Sequence, residues 1–188
     1  MMEEENKKAL EILRAGGTIL YPTDTIWGIG CDATNEKSVE KIFEIKKRQE
    51  SKSLIVLVSD DGMLNRFVKN IPALAWDLME VTDNPLTIIY DEGRALAKNI
   101  FAEDGSIGVR KVSDEFCQRL IHKFGKPIVS TSANISGHVS PQSFYEIQDE
   151  IKQSVDYIVK WKQDDWQKAK PSTIIKLKEN GEFKIIRK

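Results

Sequence analysis

Cysteine is nearly absent from this chain: Cys31 and Cys117 are its only two in 188 residues. That excludes a disulfide framework, and no CxxC or Cys/His cluster suggests zinc. Long apolar runs are missing as well. The longest unbroken one, residues 54–58, is far short of the roughly 20 residues that span a bilayer as a helix. The acidic start Met1-Met2-Glu3-Glu4-Glu5 is followed by no apolar segment, so neither a secretory signal nor a membrane association is expected, and a cytoplasmic location is. No sign of charge predominates either: 28 Lys+Arg face 29 Asp+Glu, a net charge of −1. Such a balance excludes a globally basic nucleic-acid binder and requires any anion site to be local. Repeats and low-complexity linkers are also lacking, so residues 1–188 read as one domain, long enough to bury its own core.

What is present is a mixture of helical and strand patterning. Residues 4–15 set Ala9, Leu10, Ile12 and Leu13 on one helical face, and Gly16-Gly17 supplies a stop. The pattern predicts a short strand over 18–21, broken by Pro22, and a glycine-interrupted strand over 26–31, as for a chain passing close to something. Asn35 is placed to cap a helix whose buried stripe is Val39, Ile42 and Phe43. Residues 54–58 read as a buried strand. Further on, the pattern predicts a helix over 72–81, strands over 86–90, 107–110 and 127–131, and a helix through Phe116, Leu120 and Ile121 ending near Gly125. Ser140-Pro141 predicts another helix start, a cap followed by proline in the first turn. The β-rich runs 173–178 and 182–187 flank Asn180-Gly181, a hairpin signal. Helices and strands alternate less strictly than in a Rossmann unit, so the expected class is α/β (α+β) with a mixed sheet.

Four segments break ordinary patterning. Tyr21-Pro22-Thr23-Asp24-Thr25, followed by Gly28 and Gly30, offers hydroxyls and a carboxylate at a strand–loop junction, which can orient a small polar ligand; the plainer reading is a turn whose side chains bond to their own backbone. Lys46-Lys47-Arg48-Gln49-Glu50-Ser51-Lys52 places four cations in seven residues. Lys46 and Arg48 share a ligand only where the helix unwinds, because positions i and i+2 point apart on a helix. Cations there suit a polyphosphate, or simply a favourable helix C-terminus. Ser130-Thr131-Ser132-Ala133-Asn134-Ile135-Ser136-Gly137 follows a strand, and five of its eight residues are Ser, Thr or Asn. It presents hydroxyls and backbone N–H groups to an anion, yet lacks the lysine and spacing of a Walker A loop. Pro171-Ser172-Thr173 enters the final hairpin, and Arg187 lies at its far end.

Taken in order, these segments resemble the YrdC-like family, whose enzymatic members are threonylcarbamoyl-AMP synthases. Ile107-Gly108-Val109-Arg110 and Pro171-Ser172-Thr173-Ile174 with Arg187 also fit, and the similarity runs over nearly the whole chain from about residue 8. The family's Lys-x-Arg and Ser-x-Asn pairs fall on Lys46, Arg48, Ser132 and Asn134. Three places depart from its pattern. Gln49 and Ser53 stand where prolines are usual, Trp27 where tyrosine is common, and Lys111-Val112-Ser113 where the strand usually continues Val-Pro. The resemblance is to the short, single-domain form.

The resemblance implies a twisted mixed β-sheet flanked by helices, with a concave anion-binding cavity. It implies a nucleotidyltransferase that condenses L-threonine, bicarbonate (or CO2) and ATP into threonylcarbamoyl-AMP and pyrophosphate, for the t6A modification of tRNA. Lys46, Arg48, Ser132 and Asn134 are its expected catalytic set. Arg48, Lys52, Ser132, Ser140 and Arg187 fall where relatives contact ATP; Thr25, Arg110, Ser130 and Thr173 fall where they contact threonine. Mg2+ is expected to arrive bound through the ATP phosphates, with no residue assigned to a metal. Downstream threonylcarbamoyl-transfer proteins are the expected partners, and tRNA is a candidate contact. On this reading Lys46→Ala or Arg48→Ala cuts turnover and leaves the fold intact. Two other readings stand beside it: a non-catalytic tRNA- or double-stranded-RNA-binding module of the same fold, and a carbamoyl-phosphate-using module like those in hydrogenase-maturation proteins.

Overall fold

The computed structural model describes residues 1–47, 54–165 and 170–188. Helix α1 (Met2–Arg14) buries Ala9, Leu10 and Leu13 and docks on α5 (Glu115–Phe124), where the Asn6 amide donates to the Phe116 carbonyl at 3.1 Å. Asn35 caps α2 (Glu36–Lys46) through hydrogen bonds from Lys37 N and Ser38 N, and the helix buries Val39, Ile42 and Phe43. Gly125 ends α5 in a left-handed conformation, φ 75°. Helices α3 (Asp61–Phe67), α4 (Ala73–Val81) and α6 (Asp149–Ser154) complete the helical set among the described residues.

The strands are β1 (Ile19–Tyr21), β2 (Gly28–Gly30), β3 (Ile55–Val58), β4 (Leu86–Tyr90), β5 (Ile107–Lys111), β6 (Ile128–Ser132), β7 (Tyr157–Ile158), β8 (Thr173–Leu177) and β9 (Phe183–Arg187). They form one sheet in the order β7-β1-β2-β6-β3-β5-β4-β8-β9. The β1–β7, β3–β5 and β4–β8 pairs are parallel and the rest antiparallel. The mixed α/β class with a twisted mixed sheet is therefore as read from the residues, and the 180s hairpin turns at Gly181, φ 87°.

Side chains alternate faces along a strand, and residues paired across strands share a face. Thr87 pairs with Arg110 and Ile174, Ile55 with Gly108 and Ser130, and Gly28 with Ser132. One face of the sheet therefore collects small and polar residues from β2, β6, β5 and β4, with Ile55 of β3 and Ile174 of β8 between and beside them. Positions of the opposite parity, Val56, Val109, Ile88, Val129 and Ile175, are apolar and buried. The glycine-interrupted strand does pass close to something: a Cβ on Gly30 would lie 2.6 Å from the Val129 carbonyl and 2.7 Å from the Tyr21 ring.

One expected element is absent. No helix starts at Ser140-Pro141: residues 136–143 are irregular, a single 3-10 turn covers Phe144–Glu146, and α6 begins only at Asp149. The Glu146 carboxylate takes the Gln142 N–H at 2.8 Å, and Phe144 packs on Trp27 with ring centroids 4.9 Å apart. Tertiary packing on Trp27 draws the chain into a tight turn, and Ser140 is left on the wall of the cavity described next.

Candidate functional site

The polar face of the sheet opens into a cavity of about 280 Å³. Its floor includes Gly108, where a Cβ would lie 3.3 Å from Ile55 and 3.5 Å from Thr87, so glycine keeps the floor low. Of the residues singled out from sequence, Thr25, Arg110, Ser130, Ser132, Ser140 and Arg187 all line it. They come from β5, β6, β9 and two loops, brought together by the strand order.

The loop from Tyr21 to β2 satisfies both readings of its sequence. Thr23 Oγ1 donates to the Ile26 carbonyl at 2.8 Å and accepts from Thr25 N–H at 3.0 Å, a self-bonded turn. Its one proton is thereby used, so the 2.9 Å contact between the Thr23 and Thr25 hydroxyls is donated by Thr25. Thr25 then offers the cavity lone pairs, which suit an amine. The Cys117 thiol beneath this loop donates to the Pro22 carbonyl at 3.3 Å, and burial pushes its pKa well up, so no thiolate is available at the site.

Two guanidiniums meet at the cavity. Arg110, on β5, is buried; its Nη2 lies 3.1 Å from Asp24 Oδ1, while Nε and Nη2 have no hydrogen-bond partner of directed geometry. Arg187 donates from Nε and Nη2 to the Ser172 carbonyl at 3.0 and 2.9 Å. Burial, and after it the charge of Arg110, lower the Arg187 pKa from its ordinary value. Two guanidiniums lining one cavity, with buried donors on Arg110 to spare, suit an anionic ligand.

Arg187 reaches it through a β-bulge. Ile175 pairs with Ile185 and Ile174 with Arg187, so Ile186 is an extra residue on β9. An unbroken register would have set Arg187 opposite Thr173, on the other face; the bulge sets it opposite Ile174, which lines the cavity. The same parity decides the Pro171-Ser172-Thr173 segment. Ser172 and Ile174 line the cavity and Thr173 does not, its N–H donating to Pro85 O at 3.0 Å.

Lys46 and Asn134 stand behind the wall. The Lys46 ammonium donates to the Ser132 carbonyl at 2.6 Å and the Asn134 carbonyl at 2.7 Å, and the Lys46 carbonyl accepts from Ser136 N–H at 2.9 Å. The Asn134 amide donates to the Ile135 and His138 carbonyls at 3.0 and 2.7 Å. Together they hold the loop that carries Ser132 into the cavity. Lys46 is only 2% exposed: it is a buried tether, not the solvated cation on which the expectation of an intact fold in Lys46→Ala rested. Arg48 and Lys52, with Gln49 and Ser53, lie outside the described residues.

Thr87, Ser172 and Trp27 line the cavity without having been singled out as site residues. Thr87 Oγ1 and Ser172 Oγ are 2.8 Å apart and both residues are buried. The available signal at Thr87 was a lone hydroxyl inside the apolar run Leu86-Thr87-Ile88-Ile89-Tyr90; at Ser172 it was the choice of face, which local sequence does not carry.

Comparison with known proteins agrees with this geometry. The Sua5/YciO/YrdC family model, described as telomere recombination, matches residues 11–188. A putative threonylcarbamoyl-AMP synthase of Methanocaldococcus jannaschii is 36% identical over 183 residues, covering 95% of this chain and 84% of the relative. A threonylcarbamoyl-AMP synthase of Pseudoalteromonas translucida is 33% identical over 154 residues, covering 80% and 82%. Sua5 of P. abyssi complexed with L-threonine superposes with a TM-score of 0.83 at 27% identity, over 94% of this chain and 52% of that one. The chain thus spans about half the length of that Sua5.

Proposed function

Because the chain belongs to the Sua5/YciO/YrdC family, we propose that it is a threonylcarbamoyl-AMP synthase, condensing L-threonine, bicarbonate and ATP into threonylcarbamoyl-AMP and pyrophosphate for the t6A modification of tRNA. The observation that carries this reading is the buried Arg110 guanidinium, unsatisfied by hydrogen bonds and set with Arg187 in a cavity of Ser and Thr hydroxyls. The named relatives and the threonine-bound Sua5 support the choice of substrates.

The reaction needs little covalent help from protein. The threonine amine, as its free base, adds to bicarbonate or CO2 to give a carbamate (with loss of water from bicarbonate). A carbamate oxygen then attacks the α-phosphorus of ATP, and the bond to the β-phosphate oxygen breaks, releasing pyrophosphate. This is adenylyl transfer, nucleotidyltransferase chemistry, and its difficulty is holding several anions close and in line. Arg110 takes the threonine carboxylate, Ser130 adds a hydroxyl beside it, and the Thr25 lone pairs accept from the amine. Arg187, Ser132 and Ser140 face the nucleotide phosphates, with Arg48 and Lys52 completing the cationic set. Thr173 does not line the cavity, and Ser172 takes its place on the threonine side. Lys46 and Asn134 act by holding the 132–138 loop.

Magnesium belongs to the ATP. It would be held through the phosphates, where it would offset their charge. Among the described residues no helix is long and apolar enough to cross a membrane. The synthase reading makes this a cytoplasmic enzyme that passes its adenylate to threonylcarbamoyl-transfer proteins acting on tRNA. Purified protein should release pyrophosphate from ATP only when threonine and bicarbonate are both present; release indifferent to threonine would sink the assignment.

A further inference from the structure

In the Tyr-Pro-Thr-Asp-Thr segment the carboxylate of Asp24 takes no part in the reaction as described. Asp24 does not line the cavity; it lies behind Arg110 on the wall of a separate cleft. Its side chain and that of Arg110 are each 5% exposed, with Nη2 3.1 Å from Oδ1. The other carboxylate oxygen is held just beyond the end of the strand that carries Arg110: it accepts from Ser113 N–H at 3.3 Å and faces Ser113 Oγ at 3.5 Å. Arg110 is thus a buried cation with one counter-charge and with Nε and Nη2 lacking directed acceptors. Such a group is costly to bury unless something fixes its plane and something else completes its hydrogen bonds.

Resting on the synthase reading, we propose that Asp24 is the positioning residue of the threonine subsite: anchored by Ser113, its ion pair with Arg110 holds the guanidinium in place to receive the amino-acid carboxylate. The charges agree with this. Two guanidiniums against one protein carboxylate leave a positive surplus at the cavity, which a substrate carboxylate neutralises. Asparagine at position 24 cannot replace the aspartate, because it has a single acceptor oxygen to share between Ser113 N–H and Arg110, and it carries no charge.

The test is steady-state pyrophosphate release by the full chain carrying Asp24→Asn, Arg110→Lys, or both. Asp24→Asn is expected to raise the KM for threonine by about tenfold or more while the KM for ATP moves by less than about twofold. In the Arg110→Lys background the same substitution is expected to add little, since its effect runs through Arg110. Equal rises in both KM values overturn the proposal, as do additive effects in the double variant. Should Asp24→Asn fail to fold, Asp24→Glu keeps the charge but displaces it. Calorimetric titration of that variant with threonine alone and with ATP alone should then show weakened threonine binding and unchanged ATP binding; unchanged threonine binding overturns the proposal. A wild-type chain without threonine-dependent release defeats the synthase reading instead, so the two failures are distinguishable.

Discussion

At position 46 the sequence offers a lysine in the last turn of a helix, where a solvated cation adds little to stability. In the structure the same ammonium is buried against two carbonyls of a loop that is 86 and 88 residues away in the chain. Removing it leaves buried acceptors without donors, which costs about 1–3 kcal/mol. Lys46→Met should therefore lower Tm by roughly 2–4 °C for each kcal/mol lost in a chain of this size, and should weaken substrate binding through the displaced Ser132. A thermal melt beside the kinetics checks this; turnover lost at unchanged Tm would restore the direct catalytic role first read from the Lys-x-Arg pattern. Thr25 carries the complementary lesson. Its identity as a hydroxyl is plain in sequence, but the direction of its hydrogen bond follows only from how Thr23 spends its own proton.

At the scale of elements, several boundaries needed only neighbouring residues. The Asn35 cap, the Gly125 stop and the Asn180-Gly181 hairpin are each decided by groups within a few positions, and each is found where the sequence places it. The helix expected at Ser140-Pro141 met the same local criteria and does not form: Phe144 packs on Trp27, a tertiary contact, and Glu146 takes the Gln142 N–H, a competing local one. Strand β9 is the other case. Its existence is local information, yet the bulge at Ile186 decides which face Arg187 takes. All five β9 residues are exposed, so Arg187→Ala should leave Tm within a few degrees of wild type while raising the KM for ATP by about tenfold, as expected for loss of a charge-assisted contact to phosphate. An unchanged ATP KM would mean that the bulge positions Arg187 only for its bond to Ser172.

For the whole molecule the near-equality of 28 cations and 29 anions says little until the charges are placed. Arg110 and Arg187 converge on one cavity while most other ion pairs lie at the surface, where they contribute little. Ligands that bind the folded chain and not the unfolded one stabilise it by mass action, by about 2.7 kcal/mol at a hundredfold excess over Kd. Threonine and ATP should accordingly each raise Tm in a concentration-dependent manner, and Arg110→Lys should shrink the threonine increment while leaving that from ATP. Differential scanning fluorimetry reads both, and an equal loss of the two increments would contradict the division of the cavity into threonine and nucleotide sides.

The sequence by itself determined the mixed α/β class, most helix and strand positions, and the family, because capping, turn chemistry and hydrophobic period act over a few residues and motifs are read in order along the chain. Only the tertiary structure decided that Ser172 and not Thr173 lines the cavity, that Lys46 points inward, that Ser140 stands on the cavity wall, and that Asp24 backs Arg110. Each of these depends on strand register, where one residue of slip exchanges the faces of a sheet, and on contacts between segments far apart in the chain.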